Sequence, residues 1–153
     1  MINYLVMDVD GTLTDGKIYM SSCGEAMKAF NIKDGYGIHD ICIPAGITPV
    51  IITGRKSVIV LNRCKELGIK DVHQGVIDKL GKLKALIVDL SSIAYIGDDL
   101  NDLPCMSEVK AAGGVVGCPA DAVEKVKEIS DYVSPHNGGD GAVRDYIEWI
   151  IKR

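Results

Sequence analysis

The chain has 153 residues, 47% of them hydrophobic and 25% charged, which predicts a single globular domain spanning 1–153. A net charge of −4, with acidic and basic residues mixed along the chain, argues against a nucleic-acid partner. No apolar run approaches the roughly 18–20 residues that span a bilayer, so we expect neither a membrane segment nor a signal peptide.

Apolar runs of strand length alternate with helical patterns. Strands are predicted at 4–7, 48–52, 93–96 and near 115–116, and helices at 34–46, 56–67, 78–88, 99–107, 120–128 and 141–152. This alternation is typical of an α/β fold, with a mostly parallel sheet between helices. Asp34 is the predicted N-cap of the first helix, and the core-facing positions of the next two are Val60, Leu61, Cys64, Leu67, Leu80, Leu83, Leu86 and Ile87.

Residues 17–31 depart from this alternation. Two short apolar segments, 17–20 and 27–30, flank Ser21-Ser22-Cys23-Gly24, and this pattern predicts a β-hairpin. The hairpin could form a flap over a site at the end of the first strand. It could equally pair only with itself or with a neighbouring subunit, and both interpretations remain open at this stage.

The cysteines and histidines indicate which cellular compartment and which type of metal ion to expect. The five cysteines are odd in number and include no C-x-x-C pair, which predicts free thiols in a reducing, cytoplasmic setting. The three histidines lack the spacing of zinc ligands. A metal in this protein is therefore expected to be a hard ion bound by oxygen, which points to Mg²⁺.

Polar residues follow three of the predicted strands directly. Asp8-Val9-Asp10-Gly11-Thr12 ends the first strand, Thr53-Gly54-Arg55 the second and Gly97-Asp98-Asp99-Leu100-Asn101-Asp102 the third, while Lys79 begins a helix. Ligands of open α/β sheets bind at the carboxyl ends of the strands. Carboxylates this close repel each other unless a cation joins them. We therefore expect a metal-assisted reaction on an anionic substrate.

These segments, in this order, resemble the four motifs of the haloacid dehalogenase (HAD) superfamily, and the resemblance covers essentially the whole chain. It implies a Rossmann-like HAD fold, Mg²⁺ as cofactor and phosphate-ester hydrolysis through an aspartyl-phosphate. The catalytic residues that it implies are Asp8 as nucleophile, Asp10 as acid and base, and Lys79. It further implies metal ligation by Asp8, Asp98 and the Asp10 carbonyl, phosphate binding by Thr53, Gly54 and Lys79, and supporting roles for Asp99 and Asp102.

The intervals 12–53 and 55–79 are too short to hold a cap domain, so the chain resembles the capless branch, whose sites are completed by a neighbouring subunit. A homo-oligomer, most simply a tetramer, is implied. Within that branch the chain is similar to the 3-deoxy-D-manno-octulosonate (KDO) 8-phosphate phosphatases. Stretches that carry this similarity include Lys28-Ala29-Phe30-Asn31, Asp34-Gly35-Tyr36-Gly37, Thr53-Gly54-Arg55-Lys56-Ser57 and Gly138-Gly139-Asp140-Gly141.

This resemblance implies a 2-keto-3-deoxy sugar acid phosphate as substrate, KDO 8-phosphate above all, and a role in lipopolysaccharide biosynthesis. Arg55 and Arg63 are the implied contacts of the sugar acid, because a guanidinium can hold a carboxylate with two hydrogen bonds. One departure stands out. The family usually has an arginine just before the glycine pair of its C-terminal segment, where this chain has Asn137.

Three other interpretations remain open. The substrate could be a nine-carbon sialic-acid-type 9-phosphate, although relatives of that kind tend to carry an acidic residue in place of Arg55. The domain could be a non-catalytic oligomerisation module like that fused to acylneuraminate cytidylyltransferase, although its motif residues are intact. A phospho-receiver domain also uses aspartates, a threonine and a lysine, but in a different chain order.

Overall fold

A computed structural model, which describes residues 1–153, contains eight strands in two sheets. Six strands, paired in parallel throughout, form the main sheet: β1 (Tyr4–Met7), β4 (Thr48–Ile52), β5 (Asp71–His73), β6 (Ile93–Ile96), β7 (Val115–Cys118) and β8 (Tyr132–Val133). Their spatial order is β5-β4-β1-β6-β7-β8. The antiparallel pair β2 (Tyr19–Ser21) and β3 (Gly24–Met27) forms the predicted hairpin.

Six helices connect these strands. They are α1 (Ile32–Tyr36), which continues as a π-helical segment over Gly37–Cys42, α2 (Val58–Glu66), α3 (Lys79–Leu86), α4 (Leu103–Ala111), α5 (Glu124–Ile129) and α6 (Ala142–Ile151). Short 3-10 segments at Leu90–Ser92 and Leu100–Asp102 precede β6 and α4. None of the helices combines the length and the apolar character needed to cross a membrane.

The core lies on both faces of the main sheet, because each central strand contains a run of consecutive buried apolar residues. In β1, Leu5 and Met7 pack on one face with α2 and α6, whereas Val6 packs on the other face with α3, α4 and α5. A strand buried on both faces reads as a continuous apolar run, which is why the central strands were predictable. The predicted α/β class and mostly parallel sheet are confirmed.

Several local predictions were wrong. The side chain that caps α1 is Asn31, which accepts a hydrogen bond from the Lys33 N–H at 2.8 Å. Asp34 is instead buried, and accepts hydrogen bonds from backbone N–H groups at the start of α6. Leu61 and Leu86 are exposed rather than core-facing. The edge strands β5 and β8 were not predicted, and α4 and α5 end later than expected.

Candidate active site

The predicted site residues converge at the carboxyl ends of three neighbouring strands. Asp8 follows β1, Thr53 follows β4 and Asp98 lies two residues after β6, and β1 is hydrogen-bonded to both other strands. A cleft of about 280 Å³ opens here. Its lining contains no apolar side chain and comprises Asp8, Asp10, Gly16, Thr53, Gly54, Arg55, Asp98, Asp99 and Asn101.

Lys79 bridges two carboxylates beneath this cleft. It is the first residue of α3, its side chain is only 3% exposed, and its Nζ lies 3.0 Å from Asp8 Oδ1 and 2.8 Å from Asp102 Oδ1. Burial alone would lower the pKa of the Lys79 ammonium, but the two carboxylates outweigh burial and raise it. A fixed positive charge therefore lies directly against Asp8.

Asp102 organises the loop after β6 with both of its oxygens. Oδ1 accepts hydrogen bonds from Lys79 and from the buried Tyr95 hydroxyl, each at 2.8 Å. Oδ2 accepts the backbone N–H of Asp98 at 3.1 Å and that of Asp99 at 3.4 Å. Because its oxygens are occupied, Asp102 is suited to support the loop rather than to bind a ligand.

Asp8 and Asp98 fit a divalent cation. Single carboxylate oxygens of Asp8, Asp98 and Asp102 lie within 4.8 Å of one another, and of the three only Asp102 has both oxygens engaged by the protein. Burial, helped by the negative charge of Asp102, raises the pKa of Asp8 to about 6 despite Lys79. Burial and the neighbouring carboxylates raise the pKa of Asp98 to about 8. This surplus of negative charge, held by hard oxygen donors, suits Mg²⁺.

Gly11 leaves the space that Asp98 occupies. Its φ of +91° falls in the region that favours glycine, and a Cβ at this position would lie 2.0 Å from Asp98 Oδ2. Thr12, the next residue, donates its hydroxyl to Asp98 Oδ1 at 3.3 Å. The turn after β1 therefore requires glycine so that the two loops can place their carboxylates together.

The hairpin lies against the site. Lys28 donates to Asp10 Oδ1 at 2.5 Å and contacts Glu25 Oε2 at 3.1 Å, with its own side chain only 1% exposed. Glu25 also accepts the Ser57 hydroxyl at 2.7 Å and lies 3.6 Å from Arg55. The hairpin is therefore a flap joined by charged residues to two site loops, and the interpretation that it pairs only with itself was wrong.

The two predicted substrate arginines are in different places. Arg55 lines the cleft, and its side chain is 47% exposed. Arg63, on α2, lies over the Phe30 ring at 5.8 Å and pairs with Glu66 at 3.0 Å. It does not line the cleft of its own chain. The structure thus brings Arg55, but not Arg63, to this site.

The Gly138–Gly141 segment packs on the loop that follows β1. Gly139 donates its N–H to the Thr12 carbonyl at 3.1 Å, and a Cβ on Gly138 would lie 2.0 Å from the Gly11 carbonyl oxygen. Asn137, where the family usually has arginine, is exposed just before it. This segment lies beside the site of its own chain.

Sequence reasoning assigned no role to three residues of this network. Tyr95 was interpreted only as part of a strand, Glu25 only as part of the predicted hairpin, and Lys28 only as part of the family resemblance. Glu25 and Lys28 carried one signal, since they place two opposite charges three residues apart in the predicted hairpin. Tyr95 carried none, because an aromatic residue in a buried strand is ordinary core.

Comparison with known proteins gives a consistent result. No protein-family model matches the chain. The chain is 42% identical over 154 residues to the 3-deoxy-D-manno-octulosonate 8-phosphate phosphatase KdsC of Escherichia coli (strain K12), covering 98% of this chain and 79% of that protein. The enzyme of the same name from Yersinia pestis is also 42% identical, over 98% of this chain and 80% of that protein.

Solved structures agree. A 3-deoxy-D-manno-octulosonate 8-phosphate phosphatase from Moraxella catarrhalis, in complex with magnesium, phosphate and KDO, is 42% identical with a TM-score of 0.91, over 99% of this chain and 86% of that one. A cobalt-bound enzyme from Haemophilus influenzae is 36% identical with a TM-score of 0.89, over 99% and 88%. The chain therefore belongs to the 3-deoxy-D-manno-octulosonate 8-phosphate phosphatase family of the HAD superfamily.

Proposed function

We propose that residues 1–153 form a single Mg²⁺-dependent phosphatase domain that hydrolyses KDO 8-phosphate in lipopolysaccharide biosynthesis. The observation that carries this proposal is the buried Lys79, which bridges Asp8 and Asp102 beside Asp98 at the floor of a polar cleft. A non-catalytic module has no need of a buried charge network aimed at an open cleft. Family membership supports the substrate, since relatives bear this name and one was solved with magnesium, phosphate and KDO.

In this proposal Asp8 is the nucleophile. A carboxylate oxygen of Asp8 forms a bond to phosphorus while the ester P–O bond breaks, which yields an aspartyl-phosphate. The repulsion between a carboxylate and a phosphate charge is about 4 kcal/mol at ~4 Å and an effective dielectric of ~20. Lys79 offsets that repulsion from its position against Asp8. The Asp8 and Asp98 carboxylates and the Asp10 backbone carbonyl would hold Mg²⁺, which would supply further positive charge next to the phosphate.

Asp10 is the proposed acid and base. It protonates the departing alcohol oxygen, and its carboxylate then takes a proton from the water that attacks the aspartyl-phosphate. The Thr53 hydroxyl and the Gly54 N–H are proposed to hold phosphoryl oxygens, since both residues line the same cleft as Asp8. Asp99 and Asp102 support the loop that carries Asp98.

The sugar acid carboxylate is proposed to bind Arg55. This guanidinium lines the cleft, and its one carboxylate neighbour, Glu25, is 3.6 Å away, so it can bind a second carboxylate. Arg63 does not reach the cleft of its own chain. Its proposed contact with the sugar acid therefore requires a neighbouring subunit.

A homotetramer is the proposed active form. The flap exposes Ile18, Met20 and Met27, which are 45%, 63% and 53% accessible, and another copy of the chain could bury them. Light scattering at assay concentration tests this assembly, and a fully active monomer would contradict it. The cytoplasm is the proposed location, supported by five free cysteines, of which four are buried.

Phosphate release tests the activity directly. The purified protein is assayed with KDO 8-phosphate, with nine-carbon 2-keto sugar acid 9-phosphates and with p-nitrophenyl phosphate, with Mg²⁺ or with a chelator. We expect the highest kcat/KM on KDO 8-phosphate and no turnover with the chelator. A preference for a nine-carbon substrate would replace the proposed sugar, and Mg²⁺-independent hydrolysis would contradict the mechanism.

A further inference from the structure

Asp10, the second carboxylate of the first motif, has a single side-chain partner. Lys28 donates to its Oδ1, and no other protein group donates to either oxygen. Asp10 lies in the turn after β1, and its side chain is 20% exposed. The one side-chain hydrogen bond that orients Asp10 in the cleft therefore comes from a residue of the flap.

Lys28 is itself held in place. A lysine whose side chain is 1% exposed must be paired, because an unpaired buried ammonium is strongly disfavoured. Its second partner, Glu25 on β3, is fixed in turn by the Ser57 hydroxyl at 2.7 Å. The backbone N–H of Ser57 donates to the Gln74 side chain at 2.7 Å. The ammonium is thus anchored through the flap to the loops that follow β4 and β5.

We propose that Lys28 is the positioning residue of the acid and base in this reaction, a role that rests on the proposed function. Its hydrogen bond occupies Oδ1 of Asp10, so Oδ2 is the oxygen that carries the proton. When the ester P–O bond breaks, the Oδ2 proton moves to the departing oxygen and the bonding electrons stay with that oxygen. Asp10 becomes a carboxylate, and the adjacent ammonium of Lys28 stabilises the negative charge that develops on it.

A second consequence follows for the later half of the reaction. The same carboxylate, still held through Oδ1, receives a proton on Oδ2 from the attacking water. As the water oxygen bonds to phosphorus, the P–O bond to Asp8 breaks and its electrons return to the Asp8 carboxylate. A lysine that merely fastened the flap would change hydrolysis of every phosphate ester by the same factor. A lysine that positions the acid matters most when the departing oxygen is a strong base and needs a proton.

The test compares two aryl phosphates that differ mainly in their departing oxygen. Phenyl phosphate releases a basic phenolate, whereas p-nitrophenyl phosphate releases a weakly basic one that needs little protonation. Neither carries a carboxylate, so Arg55 does not enter the comparison. The value to measure is kcat/KM, because it reports the steps up to phosphoryl transfer and leaves out hydrolysis of the aspartyl-phosphate.

We expect Lys28→Met to lower kcat/KM on phenyl phosphate at least about tenfold more than on p-nitrophenyl phosphate. Lys17→Met is the matched control, since Lys17 is 74% exposed beside the flap, and it should leave both values unchanged. In an Asp10→Asn background the Lys28 substitution should add no further discrimination between the two substrates, because the acid is already absent.

Equal losses on both aryl phosphates, or no loss on either, would overturn the positioning role while leaving the proposed phosphatase activity intact. If Lys28→Met does not fold, the same ratio is measured with Lys28→Gln, which removes the charge and shortens the side chain by one bond, and the same preferential loss on phenyl phosphate is expected. Failure of the proposed function would look different, since the unsubstituted protein would then not hydrolyse KDO 8-phosphate with Mg²⁺.

Discussion

Lowering the pH should displace Mg²⁺ from the cleft, because protons and the metal compete for the same oxygens of Asp8 and Asp98. Burial and neighbouring carboxylates raise the pKa of Asp98 to about 8 and that of Asp8 to about 6 in the metal-free protein. At pH 7 the metal-free site therefore holds about one proton, nearly all of it on Asp98. Mg²⁺ must release that proton in order to bind.

The size of the effect follows from the two pKa values. Between pH 8 and pH 6 the ionised fraction of Asp98 falls about 50-fold, and that of Asp8 falls about twofold. The apparent affinity for Mg²⁺ should therefore weaken about 100-fold over this range. In the metal-free protein the free energy of unfolding changes with pH in the opposite direction to Mg²⁺ affinity. Because both pKa values are raised on folding, the stabilising contribution of protonation is fully present below the ordinary carboxyl pKa of 3.8, and it is lost as the pH rises through about 6 for Asp8 and about 8 for Asp98.

Isothermal titration calorimetry measures both the number of protons released and the change in Mg²⁺ affinity with pH. Titration of Mg²⁺ at pH 7 into the protein, in two buffers with different enthalpies of ionisation, should reveal release of about one proton per metal bound. The control is Asp71→Asn, which removes an exposed carboxyl at the start of β5. This variant should release the same number of protons per Mg²⁺ bound as the unsubstituted protein. An affinity that changes less than about threefold between pH 6 and pH 8, with no proton released, would refute the assignment of Asp8 and Asp98 as protonated metal ligands.

Three further substitutions test the site. Asp8→Asn should lower the rate of phosphate release by at least about 10³-fold with an unchanged circular dichroism spectrum, and near-native turnover would exclude covalent catalysis at this residue. Arg55→Gln should lower kcat/KM on KDO 8-phosphate about 10- to 150-fold, the equivalent of ~1.5–3 kcal/mol, and leave p-nitrophenyl phosphate nearly unchanged. Equal losses would assign Arg55 to phosphate or to structure. Gly11→Ala should weaken Mg²⁺ binding and stability more than Gly46→Ala, measured by thermal unfolding with and without Mg²⁺. Both glycines have positive φ, but only a Cβ at Gly11 meets Asp98, and equal effects would rule out the clash.

The fold was predictable wherever one short segment carried its own signal. The central strands are buried on both faces, so a run of four consecutive apolar residues marked each of them. The edge strand β5 has three residues, two of them polar, and β8 has only two residues, so no such run exists in either strand. Asp34 shows a second limit. An aspartate near a helix start is a typical cap, yet its real partners, at Gly141 and Arg144, are more than 100 residues away in sequence.

The site also contains residues that could be predicted from the sequence and residues that could not. The order of Asp8, Thr53, Lys79 and Asp98 was enough to predict that they meet, because each ends a strand or begins a helix at the same edge of the sheet. Lys28 could not be recognised by that logic. A lysine on a short hairpin is normally solvated, and only the way the flap folds over the first loop brings it to Asp10. Contacts made by a hairpin outside the main sheet can be identified only from the tertiary structure.

The two aspartates of the first motif are each paired with a buried lysine that also binds a second carboxylate. Lys79 links Asp8 to Asp102, and Lys28 links Asp10 to Glu25, with each lysine side chain almost fully buried. In both cases the second carboxylate keeps the ammonium charged and fixes its position. The lysine is therefore already in place to bind the aspartate of the first motif. The difference lies in the element that provides the lysine. Lys79 starts a helix of the main fold, whereas Lys28 belongs to a two-stranded flap with exposed apolar residues. The geometry of the nucleophile is thus built into the sheet scaffold, while that of the acid and base depends on the docking of the flap.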